Sequence, residues 1–246
     1  MHKEYKRIAA QPGKAILFIH GIVGTPLHFT PFLELVPPNY SVYNMLLDGH
    51  GKGARDFSKT SMKRWEQQVG EAIEELSRQH TELYVVAHSL GSLLAIEQAI
   101  KTGKIKKLFL LAVPVKLSVK PATVTTSMKV FFDKIDPEDS LSVAAKACYG
   151  IERDRNPLHY IGWIPRFLEL FTKISQIRGM LDALNTPCYA YQSVKDEKVS
   201  VKSAAILSRN PHITVTQLKN SAHYYYDGDD LLFLKQEFEN FIYEPG

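Results

Sequence analysis

Two patterns of hydrophobic and polar positions take turns along the chain. The first is a short unbroken apolar run, at Lys14–Ile19, at 82–87 and at 107–113, of the kind required by a strand buried on both faces. The second is a longer stretch in which apolar residues recur every three or four positions. Over Met62–Gln79, Trp65, Val69, Ala72, Ile73 and Leu76 fall on one side of a helix. Leu90, Leu93, Leu94, Ile96, Ala99 and Ile100 do the same up to Gly103, a residue suited to closing a helix. Weaker signals extend the alternation with an edge strand over 5–9, a short helix over 28–36 ended by Pro37 and Pro38, a strand over 41–45 and a polar loop reaching Ser61. Near the end come a strand over 187–192, a helix over 199–208, a strand over Ile213–Leu218 and a closing helix over 230–242.

Strands that alternate with helices predict an α/β protein with a mostly parallel, doubly wound sheet. Between 115 and 184 the alternation breaks down. Amphipathic pieces at 128–135, 141–149 and 164–180 are separated by Pro137, Gly150, Pro157 and Gly162, and aromatic residues are dense. The expected organisation is one α/β core made from 1–114 and 185–246, with a helical cap inserted at 115–184. A length of 246 residues suits a single large domain of this class.

Composition narrows the function classes. Hydrophobic residues make up 45% and charged residues 23%, which allows a substantial core, and the net charge of +4 is mild. The densest basic stretch, 101–107, reads as a solvated helix end and turn, so nucleic-acid binding is not expected. No segment reaches the roughly 18 to 20 apolar residues of a membrane span. Cys148 and Cys188 stand far apart without a CxxC pair, and no histidine pair has the spacing of a helical zinc site. No disulfide, metal or cofactor is expected, and a reducing, cytoplasmic setting fits.

Candidate chemistry centres on 83–95. There an apolar β-branched run meets Ser89, placed between Ala87 and Gly91, and a helical pattern follows. A sharp strand-to-helix turn holds a serine hydroxyl clear of the backbone and needs very small residues two positions before and after it. Parallel sheets place ligands outside the carboxyl ends of their strands. His20, Ser89, the loop of Asp196 and the loop of His223 each follow a predicted strand, so all should meet at one edge. A nucleophilic serine needs an imidazole base and a carboxylate to orient it. Ser89, Asp196 and His223 supply these in the chain order serine, acid, histidine. Glu197, on the same loop, and Asp182 are rival carboxylates. The backbone N–H of Leu90, opening the helix, and that of Ile22, in the glycine-rich 20–26 loop, are the expected oxyanion donors. His20, His50 and His88 read as loop braces, and His2, His28, His80, His159 and His212 as surface or helix residues.

The chain resembles the α/β-hydrolase superfamily and, within it, small capped bacterial carboxylesterases and monoacylglycerol lipases. The resemblance rests on His20-Gly21-Ile22-Val23-Gly24-Thr25-Pro26, Leu47-Asp48-Gly49-His50-Gly51, Ala87-His88-Ser89-Leu90-Gly91, Asp196-Glu197-Lys198-Val199 and Ser221-Ala222-His223. Ala87 stands where the family usually has glycine, and Asp48 where it has proline. The resemblance implies a cofactor-free serine esterase acting on a small-molecule ester of short to medium apolar acyl chain, or on monoacylglycerols, through an acyl-enzyme on Ser89. A small-molecule receptor or scaffold on the same fold, and a hydrolase of amide or carbon–carbon bonds, are the alternatives.

Overall fold

The apolar runs pair side by side as strands of one sheet. In the computed structural model, which describes residues 2–11, 13–118, 120–154 and 156–243, β2 (Lys14–Ile19) lies between β3 (Tyr40–Met45) and β5 (Glu82–His88). Outward from β5 follow β6 (Lys107–Leu111), β8 (Cys188–Ser193) and β9 (Ile213–Leu218). These six strands are parallel; β1 (Tyr5–Arg7) closes the other edge antiparallel to β3, giving the order β1-β3-β2-β5-β6-β8-β9. The expected doubly wound, mostly parallel α/β sheet is therefore the fold.

Period-two alternation divides each central strand between two cores. From β2, Ala15, Leu17 and Ile19 enter the cluster that holds α3 (Met62–Gln79) and α4 (Leu90–Thr102), while Ile16 and Phe18 face Phe32 of α1 (Thr30–Leu33) and Phe238 of α9 (Gly228–Tyr243). The sheet is covered on both faces, which is why its strands read as continuous apolar runs. α8 (Lys202–Leu207) joins β8 to β9. Gly103 closes α4 in the left-handed conformation. Lys107, which ends the basic stretch read as solvated, is buried instead at the start of β6.

The polar stretch before Ser61 contains a helix rather than a loop, α2 (Ala54–Lys59), whose buried residues are Ala54 and Phe57. It is preceded by β4 (Lys52–Gly53), which pairs with β7 (Ile151–Glu152). Between β6 and β8 the chain runs through α5 (Pro121–Phe132), α6 (Ser140–Ala147), β7 and α7 (Trp163–Met180). Leu170, Ile174 and Ile177 seat α7 on the α3 and α4 side of the core. Lys173 of α7, itself buried, bonds Glu97 of α4 at 3.0 Å and pairs with Glu66 of α3. Among the described residues no helix is long and apolar enough to cross a membrane.

Candidate active site

Parallel pairing puts the carboxyl ends of β2, β5, β8 and β9 on one edge, and the candidate residues stand there. Ser89 joins β5 to α4 with φ 52° and ψ −118°, a conformation that a side chain rarely adopts. Its N–H bonds the Leu111 carbonyl at 3.0 Å, and its own carbonyl accepts the Ser92 N–H at 2.9 Å, so the strained turn is held from both sides. The small neighbours have a measurable reason. A Cβ on Gly91 would stand 2.1 Å from the Ile19 carbonyl oxygen, and one on Gly21 would stand 3.0 Å from Ser89 Cβ. The loop after β2 thus lies directly against the serine.

His223 and Asp196 meet. The His223 Nδ1–H donates to Asp196 Oδ2 at 2.8 Å, and both residues are buried. Because an ionised carboxylate only accepts, this bond puts the imidazole proton on Nδ1 and leaves the Nε2 lone pair available as a base. Asp196 Oδ1 accepts the N–H groups of Lys198 at 2.7 Å and Val199 at 2.8 Å. Burial alone would raise the carboxyl's pKa, but His223 and these two N–H groups outweigh it and hold it below the ordinary value. Glu197 does different work: its Oε2 accepts the His223 backbone N–H at 3.1 Å. Asp182 is exposed in the turn Leu181–Ala183. Of the rival carboxylates, Asp196 is the one bonded to the imidazole.

No hydrogen bond joins the Ser89 hydroxyl to His223 among the described residues. Such bonds are often long in a resting site and shorten with substrate. A different link connects the two loops. His88, the residue before the serine, donates from Nε2 to the His223 carbonyl at 2.9 Å, with the two rings 4.8 Å apart. Burial, followed by the neighbouring His28 and His223, keeps the His88 pKa well below its ordinary value, so the ring is a neutral donor. His20 and His50 also brace loops as expected: His20 Nε2 accepts the Leu47 N–H at 3.0 Å, and His50 Nδ1 bonds the Leu47 carbonyl at 3.2 Å. His28 is on a helical turn but buried, bonded to Tyr226 Oη at 3.0 Å and to Cys148 Sγ at 3.4 Å.

Leu90 opens α4, so its N–H is among the first-turn donors that no carbonyl of the helix accepts. Ile22 sits in a turn closed by the Gly24 N–H on the Gly21 carbonyl at 3.0 Å, and the next residue, Val23, is held at φ 50°. For a β-branched residue this is a costly conformation. Gly150 supports it from the β6–β8 connection. Its N–H bonds the Val23 carbonyl at 2.8 Å, its carbonyl accepts the Gly51 N–H at 2.6 Å, and a Cβ there would stand 2.0 Å from the Gly24 carbonyl oxygen. Nothing in the sequence around Gly150 marked this role, because its partners are about a hundred residues away.

A cavity of about 470 Å³ opens beside Val23 and Tyr224, walled by Phe131, Tyr149, Trp163 and Phe167, with Lys198 in its lining. That size is within the range of small-molecule sites. Tyr224 approaches the Ile22 carbonyl with its hydroxyl at 3.5 Å. Cys148 and Cys188 are free and buried. Among the described residues no group of three or more His, Cys, Asp or Glu could hold a metal ion.

Residues 16–228 match the profile of the alpha/beta hydrolase family. No curated protein sequence matches the chain. Solved structures do. A metagenome-derived lipolytic enzyme of the LipS and LipT pair aligns with a TM-score of 0.70 at 16% identity, over 96% of this chain and 95% of that one. The monoacylglycerol lipase of Paleococcus ferrophilus gives 0.67 at 17% identity, over 98% and 96%. An E-2-(acetamidomethylene)succinate hydrolase gives 0.66 at 16% identity, over 97% and 94%. At these identities the likeness is one of fold.

Proposed function

The chain belongs to the alpha/beta hydrolase family, and on that premise we propose that it cleaves carboxylic esters with Ser89 as nucleophile, His223 as base and Asp196 as the acid that orients the base. The observation that carries this reading is the buried Asp196–His223 bond at 2.8 Å, on the same sheet edge as a serine held at φ 52°. The names of two structural neighbours, a lipolytic enzyme and a monoacylglycerol lipase, support ester chemistry.

In the first half-reaction Ser89 Oγ attacks the ester carbonyl carbon while His223 Nε2 takes the hydroxyl proton. The carbonyl oxygen becomes an oxyanion, received by the Leu90 and Ile22 N–H groups. Collapse breaks the carbon–oxygen bond, and His223 returns its proton to the departing alkoxide. Water then attacks the acyl-enzyme with the same base, releasing the carboxylic acid and restoring Ser89. In this reading residues 115–184 form a cap, and its aromatic wall receives the apolar acyl or alcohol part. No step calls for a cofactor. Two buried free thiols agree with a reducing, cytoplasmic setting.

The test is a panel of p-nitrophenyl esters of short to medium chain, offered to the protein and to Ser89→Ala. The protein should turn them over, and the variant should lose about 10⁴-fold or more with an unchanged circular dichroism spectrum. Undiminished turnover in the variant would overturn the assignment. Saturable binding without turnover by the native protein would favour a receptor on this fold instead.

A further inference from the structure

The cavity beside Val23 and Tyr224 is apolar along most of its lining, and among the described residues Lys198 is the one charged group that lines it. Its side chain is 27% exposed, so the ammonium is only partly withdrawn from water and gains from a close anionic partner. The nearest carboxylate on its own loop, Glu197, pairs with it only loosely. Glu197 Oε1 stands 3.9 Å from Nζ, beyond hydrogen-bonding distance, and Oε2 is occupied by the His223 N–H. Nζ lies instead 4.1 Å from the centre of the Tyr224 ring. Burial holds the ammonium below its ordinary pKa against the opposing pull of Glu197 and Asp196.

The candidate triad gives the side chain no task. It is the Lys198 backbone N–H, and not the ammonium, that bonds Asp196. The same backbone is fixed on its other side. The Lys198 carbonyl accepts the Ser118 N–H at 2.9 Å, while the Glu197 carbonyl accepts the Lys120 N–H at 3.0 Å and the Thr123 hydroxyl at 2.5 Å. Leu117 and Val199 pair as an isolated bridge. The loop that carries the acid is thereby laced to the start of the β6–β8 connection, and the lysine is anchored at the cavity wall.

We propose that Lys198 is a specificity-determining residue that receives a carboxylate on the part of the substrate filling the cavity, so that the preferred ester is amphipathic, with an apolar chain ending in an anion. The proposal rests on the hydrolase reading above and narrows its substrate class. A carboxylate there would accept a charge-assisted hydrogen bond from a preorganised, partly desolvated donor. A neutral chain of the same length would bury the ammonium further and leave it only the loose pairing with Glu197.

Two substrate pairs test this on either side of the scissile bond: mono-4-nitrophenyl adipate against 4-nitrophenyl hexanoate, and 6-butyryloxyhexanoate against hexyl butyrate. In at least one pair the carboxylate member should have the higher kcat/KM by about tenfold, the size of one charge-assisted bond. Lys198→Gln should abolish that preference, and Lys198→Arg should retain most of it. The readout is a ratio between substrates, so a general loss of activity in a variant does not imitate it. No preference in either pair, or a preference that survives Lys198→Gln, overturns the proposal while ester turnover still supports the reading beneath it. If no ester is cleaved, calorimetric titration of the native protein and Lys198→Gln with hexanoate and 1-hexanol separates the two ideas. Tighter binding of hexanoate, lost in the variant, upholds the role of Lys198 without hydrolysis, and equal binding overturns it.

Discussion

At the strand ends the chain holds Val23, Ser89 and Ala112 at positive φ, each within four residues of the strand before it and tied by short backbone bonds. Across the cavity, α5 buries Val130 and leaves Val124 and Met128 each 54% exposed. The first region spends strain to fix particular atoms, which persists only where the surroundings over-determine it. The second presents an apolar wall whose requirement is shape and polarity. The two regions suit different tasks: the strand-end loops can carry a reaction and, through Lys198, read charge, while the β6–β8 connection can select the shape of what enters. Gly150 is one point at which the two regions touch backbone to backbone, and the lacing of Ser118 and Lys120 to Lys198 and Glu197 is another.

The sharpest way to break this comparison is inside the strand-end loops. Asp196→Asn should reduce kcat by about 10⁴-fold, because an amide at that position favours the wrong imidazole tautomer. Glu197→Gln, which alters the contact with the His223 backbone N–H and the loose pairing with Lys198, should lose less than about tenfold. Equal losses in steady-state assays would remove the distinction between these neighbouring carboxylates. Next is Gly91→Ala, in which the new methyl meets the Ile19 carbonyl oxygen at 2.1 Å. Denaturant unfolding should register about 3 kcal/mol or more of lost stability.

A pH series tests whether the buried braces stay neutral. Burial depresses the pKa of His50 to about 4 and of His28 to about 3, and drives His20 and His88 well below the ordinary value. The unfolded chain takes up protons at these histidines from near pH 6.5 downward while the folded chain does not. Stability therefore falls as pH drops from about 6.5 towards 4, by about 1.4 kcal/mol per pH unit for each histidine. Asp196, also depressed, contributes stability above its unfolded value that is lost as pH falls through its folded one. Thermal melts should show a Tm several degrees lower at pH 5 than at pH 7.5; equal values would contradict the buried, neutral assignment. The smallest effect expected is in the other region. Gly179 of α7 has no atom within 4 Å of a would-be Cβ, so Gly179→Ala should raise stability by about 0.5–1 kcal/mol, opposite in sign to Gly91→Ala.

The legible parts of the chain were those whose cause is local. Lys14–Ile19, Met62–Gln79 and Ile213–Leu218 form with the expected bounds, since each carries a complete apolar run or stripe. The Ala87-Ser89-Gly91 spacing announced the elbow because its steric demand falls on adjacent residues. Helix α2 escaped notice because two buried residues, Ala54 and Phe57, are too few to display a period. The pairing of Lys52 with Ile151, the support of Val23 by Gly150 and the bond from His88 to His223 all join residues about a hundred or more positions apart. Nothing in a local pattern records them. The sequence favours Asp196 as the acid with Glu197, adjacent and chemically alike, as its rival, and the bond to His223 Nδ1 is what tells them apart.

Labelling with a fluorophosphonate probe, followed by mass spectrometry of the digested protein, reports directly on whether Ser89 is a nucleophile activated by His223. A serine activated by His223 and flanked by two oxyanion donors reacts with such a probe, and an ordinary hydroxyl does not. One modified peptide is expected, with the label on Ser89, and it should disappear in His223→Ala. An unlabelled Ser89, or a label that persists without His223, would contradict that role.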